Sequence, residues 1–370
     1  MAKVSVILTS FNHGKYIREA IDSVLEQTFT DYELIIWDDA SSDDSWDIIN
    51  SYSDPRIRAF RNDMSKRGIY GLNKAISEVT TCENIAIHHS DDVWETDKLE
   101  KQVAYLYAHS EIGAVFTNAL AITEDGAPLT DEKISYRTIF ERPNRTRHEW
   151  LRFFFNHGNA LCHPSVLIRK TCYEDCGFYR YGFAQLGDLD MWVRLCMKYE
   201  IHVLPQKLVK FRIRDNQANT SGNRPETRSR YFFEYYEILK IYKNIKKFEE
   251  LVKIFPQVEQ YNCCSESDSG FALAQVFLNV EDSSLHKLIG LEILFKGLNV
   301  SEIAEKYKSL YDFDYMQFIE LTGKYGIVNQ PLADYEKEKG SIYGSRSWRM
   351  TRPLRELGSV LRKLKNLFKK

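Results

Sequence analysis

The chain has 370 residues, 44% of them hydrophobic and 28% charged, an ordinary globular composition that can bury a large core. Its length suggests two domains, or one large domain with an appendage. A net charge of −2 gives no global reason to expect nucleic acid as the partner, and no uninterrupted apolar stretch approaches membrane-spanning length.

Short apolar runs alternate with helical patterns through the first third. Residues 3–9 read as a buried strand and 16–27 as a helix with Ile17, Ala20, Ile21, Val24 and Leu25 on one face. The run 4–8 is too short for a signal-peptide core and passes straight into Thr9-Ser10-Phe11-Asn12. Residues 32–38 form a second strand, 44–52 a helix, 57–61 a third strand, 70–79 a helix, 84–89 a fourth strand and 98–109 another helix. A fifth strand begins at 114–117. This βαβα order argues for an α/β class with a largely parallel, three-layer, Rossmann-type sheet.

Beyond Ala119 the pattern loosens. Residues 123–147 suit a loop or surface hairpin over a site, 164–169 and 204–214 read as strands, and 190–199 as the helix between them. From Pro225 the signals are helical, at 231–242, 271–278, 285–298 and 302–310. The seven cysteines make no pair of CxxC units, so a zinc site is not expected. Reduced, buried thiols fit a cytoplasmic chain.

Two strands end in adjacent acids, Asp38-Asp39 and Asp91-Asp92. Paired carboxylates at the mouth of a buried strand are costly unless a cation sits beside them. Such hard oxygen ligands suit Mg²⁺ or Mn²⁺, which also coordinate phosphate oxygens. Open α/β sheets bind ligands at strand C-termini, so a site for a metal-bound nucleotide is expected at that edge. Other readings remain for single residues. Asp39 also fits a solvated turn, Asp97 a cap for the following helix, and Asp188 and Asp190 caps for theirs. His88 and His89 read as strand residues.

With these residues in view, the opening VSVILTSFNHGKYIREAIDSVLEQTFTDYELIIWDDASSDDS resembles the start of family-2 glycosyltransferases, inverting enzymes of the GT-A fold that use nucleotide-activated sugars. The likeness continues through RGIYGLNKAI, HHSDDVW, CHPSVLIRK, GDLDMWVRL and FRIRDNQANTS, covering about residues 1–222. It implies a GT-A-like mixed sheet at 1–222, while the patterns beyond it give a helical C-terminal region at 223–340 and a basic tail at 341–370.

The resemblance also implies roles. Thr9 and Asn12 fall where the family's first loop meets base and ribose, and Asp39 where a carboxylate accepts from the uracil N3–H. Lys66 and Arg67 lie in a further nucleotide-contacting loop. Asp91 falls near the ribose and Asp92 on the metal, Mg²⁺ or Mn²⁺, although Ser90 stands where many members have the first acid. Asp188 falls on the catalytic base, with Gly187 in place of the usual acid beside it. Arg214 stands where many members carry a metal-binding histidine. It suits a bidentate clamp on diphosphate or, alternatively, a surface pair with Asp215.

In the tail, Leu354, Leu357, Leu361, Leu364 and Phe368 recur at helical spacing among nine Arg or Lys in residues 346–370. Such a helix suits an anionic membrane surface, or docking on protein. SRSWRMTRPLR also resembles a tail of bacterial envelope-polysaccharide glycosyltransferases. The expectation is metal-dependent, inverting transfer of a sugar, UDP-linked, to a glycan or lipid-linked acceptor by a cytoplasmic, peripherally bound enzyme. The rivals are a nucleotidyltransferase and a non-catalytic glycan-binding protein.

Overall fold

β1 (Val4–Ser10), β2 (Tyr32–Asp38), β3 (Ile57–Arg61) and β4 (Asn84–His89) are parallel and stand in the order β3-β2-β1-β4. The apolar runs of β1, β2 and β4 become strands buried on both faces, whereas the edge strand β3 is partly exposed. The connecting helices are α1 (Ile17–Leu25), α2 (Ser45–Asn50) and α3 (Gly68–Lys74), the last continued by a π-helical turn over Ala75–Val79. Buried Ile17, Ala20, Ile21 and Val24 form the α1 face that the sequence period predicts. The computed structural model describes residues 3–130, 135–222, 224–261 and 266–325; the basic tail at 341–370 lies outside the described residues.

After β4 the sheet becomes mixed. A short β5 (Val93–Trp94) follows Asp92 directly, and then come α4 (Lys98–Ala108), β6 (Ile112–Ile122), α5 (Arg147–His157), β7 (Leu167–Arg169), α6 (Lys170–Cys176), α7 (Gly187–Cys196) and β8 (Glu200–Arg212). The full order is β3-β2-β1-β4-β7-β6-β8-β5. β7 runs antiparallel to β4 and β6, β8 is parallel to β6, and β5 is antiparallel to β8. The largely parallel expectation therefore holds for β1–β4 and gives way beyond them.

Among the described residues, 123–146 form the expected irregular stretch with one 3-10 turn at Ser135–Thr138, and a helix without an expected counterpart follows it. Thr146 and Glu149 form a capping box that starts α5, and Trp150, Leu151, Phe154 and Phe155 bury its inner face. Its partner α7 starts at Gly187, three residues before the expected point, which puts Asp188 in the first helical turn. The turn at residues 163–165 is pinned from α4. Gln102 donates to the Val115 and Ser165 carbonyls, and buried Lys98 donates to Gln102 Oε1 at 2.8 Å. Burial holds the Lys98 amine well below the ordinary lysine range.

The chain forms two compact units, divided between residues 262 and 263. α8 (Pro225–Leu239) and α9 (Phe248–Ile254) belong to the first unit, where the Tyr235 hydroxyl donates to the Phe154 and Phe155 carbonyls of α5. The second contains α10 (Glu266–Leu278), α11 (Ser284–Leu298), α12 (Ser301–Tyr311) and α13 (Tyr315–Lys324). Gly290 lets α11 approach α10 closely, since a Cβ there would lie 3.0 Å from the Ala274 carbonyl oxygen. Among the described residues, the five cysteines are free and no helix is long and apolar enough to cross a membrane.

Candidate active site

Parallel β1, β2 and β4 end together, with Ser10 paired to Asp38 and Thr9 to both Trp37 and His89. The register alone thus sets Asn12, Asp39 and Asp91-Asp92 along one edge. Three non-glycine residues there have left-handed backbone, Asn12 (φ 53°), Ala40 (φ 61°) and Arg67 (φ 70°). Each such residue costs about 1–3 kcal/mol and persists because its surroundings over-determine it. Asn12 is held by Ser41 and Ser42, its N–H donating to Ser41 Oγ and its Oδ1 accepting from Ser42 N–H at 2.8 Å.

Asp39 is buried, not solvated. Its carboxylate accepts from Asn62 Nδ2 (2.7 Å), Ser65 Oγ (2.7 Å), Lys66 N (2.8 Å) and Arg67 N (2.9 Å). These four bonds fill its acceptor directions, so a further donor requires one to withdraw. The Ser65 hydroxyl, on a freely rotating side chain, is the least constrained. Lys66 and Arg67 thus meet Asp39 through their backbone. The Lys66 ammonium lies over the Tyr70 ring and the Arg67 side chain is exposed at the edge.

The second acidic pair is more demanding. Asp91 and Asp92 are 8% and 1% exposed. Asp92 Oδ1 accepts from the Arg212 N–H at 2.8 Å, while Asp92 Oδ2 is buried without a hydrogen-bond partner. Burial and the neighbouring Asp91 push its carboxyl well above the usual carboxylate range. His89, expected to be only a strand residue, faces the pair, with Nδ1 3.6 Å from Asp92 Oδ2. His89, Asp91 and Asp92 offer one ligand atom each within 4.8 Å of one another. An orphaned carboxylate oxygen beside an imidazole nitrogen and a second carboxylate is a donor set that a divalent cation fits.

β8 brings its C-terminal arginines beside this pair because it flanks β5, the strand that follows Asp92. Arg212 is 2% exposed and buttresses the turn, its Nε donating to the Asp91 carbonyl and its Nη2 to Glu19. Arg214 does not pair with Asp215, whose N–H goes to Glu124. Its Nε lies 3.4 Å from Asp91 Oδ2, and its Nη1 is 2.8 Å from His13 Nε2. His13, whose pKa is lowered by burial, also meets Ser90 Oγ at 2.7 Å.

The Cys162 thiol, raised chiefly by burial, is within electrostatic reach of both Asp92 and Asp188. Asn159 Nδ2 donates to Asp188 Oδ2 at 2.6 Å and Leu189 N–H to Oδ1 at 2.8 Å. Burial dominates, with Glu234 adding, and raises the carboxyl to about 6. A Cβ at Gly187 would sit 3.2 Å from the Ile69 Cδ1 tip of α3, a contact that a small shift of that side chain relieves. Asp190 is no cap: it is fully buried and ion-paired to Arg180 and Arg194. Asp97 occupies the α4 N-cap position without a side-chain bond and pairs with Lys101 instead.

Several of these groups escape sequence reasoning. Buried Glu234 of α8 accepts from the N–H groups of Ala184, Gln185 and Leu186 at 2.8, 2.9 and 2.7 Å, fixing the loop into α7. Neither Glu234 nor Asn159 has a local signal, because each acts on a segment tens of residues away. His13 and His89 do have one, being the histidines inside the two loop motifs.

Residues 5–171 match the family described as Glycosyl transferase family 2. The putative glycosyltransferase EpsE of Bacillus subtilis (strain 168) is 30% identical over 197 residues, spanning 52% of this chain and 66% of that protein. The UDP-Glc:alpha-D-GlcNAc-diphosphoundecaprenol beta-1,3-glucosyltransferase WfgD of Escherichia coli is 31% identical over 224 residues, spanning 60% and 80%. Among solved structures, residues 1–349 of S. aureus TarS align at a TM-score of 0.52 and 16% identity, covering 83% of this chain and 91% of that one. That likeness is one of fold.

The cost of the Asp92 charge yields a prediction. A buried carboxyl with a raised pKa destabilises the fold when ionised, so Asp92→Asn should raise the melting temperature of metal-free protein at pH 7. The difference should shrink as pH falls and vanish only below the ordinary aspartate range, about 3.9, where the group is protonated in the unfolded chain as well as in the fold. Equal melting at pH 7, or a lower value for the variant, would show that the carboxylate is compensated within the protein.

Proposed function

This chain belongs to glycosyltransferase family 2, and from that premise we propose that it transfers a sugar from a UDP-linked donor to a hydroxyl of a lipid-linked glycan, with inversion, in cell-surface polysaccharide synthesis. What supports the reading is a pair of unlike carboxyls near one buried thiol: Asp92, with a buried oxygen that has no hydrogen-bond partner among the described residues, and Asp188, raised to about 6. The name of WfgD supports a UDP-sugar and a diphospholipid acceptor. TuaG of Bacillus subtilis, a putative teichuronic acid biosynthesis glycosyltransferase 37% identical over 128 residues, supports the cell-surface role.

The nucleotide would lie along the edge of β2, β1 and β4. Two strand spacings, about 10 Å, separate Asp39 from Asp91, a span that suits the base and phosphate ends of one nucleotide. Asp39 would accept from the base imide as Ser65 turns away. Thr9 and Asn12 would line the first loop, Arg67 would reach inward from the rim, and Asp91 would approach the ribose. A divalent cation, Mg²⁺ or Mn²⁺, held by Asp92 would offset the charge building on the departing diphosphate. Arg214 would add fixed positive charge on the same side.

Asp188 would take the proton from the acceptor hydroxyl. Its pKa near 6 leaves it mostly ionised at neutral pH while still basic enough to work. Its hold by Asn159 and the α7 N-terminus fixes the carboxylate's direction. No second acid is needed, since a cation-bound diphosphate departs unprotonated. A nucleotidyltransferase is the weaker reading, because such enzymes usually carry a glycine-rich basic phosphate loop and Thr9–Gly14 has one glycine and one histidine. The tail at 341–370, with its alternating leucines and basic residues, would hold the enzyme on the anionic inner face of the membrane, beside its lipid-linked acceptor.

Three measurements check this. In a UDP-release assay, Asp188→Asn should slow turnover by about 10²–10⁴ with donor KM nearly unchanged. The wild-type rate should fall tenfold per unit as pH drops below about 6, because the base must be ionised; activity retained in the variant refutes the base. Arg214→Ala should weaken UDP binding by calorimetry, and unchanged affinity and turnover would remove the clamp. Truncation at Gly344 should abolish co-sedimentation with anionic liposomes, whereas equal sedimentation would end the membrane reading.

A further inference from the structure

The side of His89 facing away from Asp92 enters a file of buried polar side chains that the proposed chemistry leaves unused. His89 Nε2 lies 3.1 Å from His163 Nδ1, His163 Nε2 lies 2.8 Å from the Tyr179 hydroxyl, and that hydroxyl lies 3.2 Å from the Tyr173 hydroxyl. Tyr173 and Tyr179 are 0% and 3% exposed. The file is locked from several sides. Tyr179 exchanges two bonds with Asn73, its N–H donating to Asn73 Oδ1 and its carbonyl accepting from Asn73 Nδ2. His163 packs edge-on against Trp192 and sits in the turn that Gln102 pins.

A neutral imidazole carries one N–H and one lone pair, so the file can run in only two directions. Run inward from Tyr173, it places a proton on His89 Nδ1, pointing at Asp92 Oδ2 across 3.6 Å, too far for a hydrogen bond. Run outward, His89 Nε2–H donates to His163 Nδ1 and His163 Nε2–H donates to Tyr179. His89 Nδ1 then presents its lone pair to Asp92 Oδ2, which has no partner of its own. Two facing lone pairs at that spacing leave a gap that a divalent cation can bridge.

We propose that His89 ligates the divalent cation through Nδ1, and that His163 is the positioning residue that fixes its tautomer by accepting from Nε2. The proposal rests on the cation reading of Asp92 and deepens it: the metal site is a carboxylate–imidazole site with a buried support behind the ring. Such outer partners typically change metal affinity by about 10–100-fold. His163 belongs to the CHPS segment that the sequence singles out without a role.

The test uses Mn²⁺ and the full chain. Electron spin-echo modulation of bound Mn²⁺ should show ¹⁴N coupling in the wild type and lose it in His89→Ala. His163→Leu should raise the Mn²⁺ Kd about 10–100-fold, while His163→Asn, whose Oδ1 can accept in place of Nδ1, should restore most of the affinity. Should His163→Leu fail to fold, Tyr179→Phe, which deletes only the hydroxyl that orients His163, should raise the Kd in the same direction. Bound Mn²⁺ without ¹⁴N coupling, coupling that survives in His89→Ala, or Leu and Asn variants with equal affinity overturns the proposal while sparing the cation reading. Absence of Mn²⁺ binding to the wild type overturns both.

Discussion

One carboxylate oxygen governs the site. Asp92 Oδ2 is buried just past the end of a central strand with no hydrogen-bond partner among the described residues, and its neighbour Asp91 adds a second negative charge. A buried ionised group left unpaired costs several kcal/mol, so the Asp92 carboxyl either takes up a proton or gains from a cation beside it. The surroundings share that logic. Arg212 props the turn through the Asp91 carbonyl, Arg214 leans on the Asp91 carboxylate, and His89 turns a ring nitrogen towards Asp92 Oδ2.

The rigid parts of the fold explain why these groups meet. Parallel pairing of β1 with β2 and β4 fixes the offsets of Asn12, Asp39 and the acidic pair, and β5 on β8 draws Arg214 beside Asp91. Asp188 comes from elsewhere: α7 carries it, and the loop into α7 hangs on Glu234 of α8. The unit holding the site therefore extends past β8 into α8. The left-handed backbone at Asn12, Ala40 and Arg67 lies on the same edge, as expected where local strain is held for function.

Much of this was legible in the sequence. The strands of the first half are apolar runs bounded by turn residues, and their terminal acids stand out because acids at strand mouths are costly. The strand order beyond β4 was not legible, since β7 is a three-residue strand whose pairing depends on partners far away in the chain. α5 was hidden by the charged stretch before it, although Thr146 and Glu149 at capping-box spacing carried a signal. Gly187 reads as a loop residue, but α7 begins there. Asn159, Glu234 and Tyr179 reach the site only through tertiary contacts, which no local pattern encodes.

The central claim is that one edge of the sheet holds a nucleotide diphosphate with its cation. Crystals of the full chain grown with UDP and Mn²⁺, measured for the anomalous signal of manganese, test it directly. The account predicts a single strong peak within bonding distance of Asp92 Oδ2, with the diphosphate on the Arg214 side and the base towards Asp39. A peak away from Asp92, or a nucleotide bound with Asp92 Oδ2 still unliganded, would contradict it.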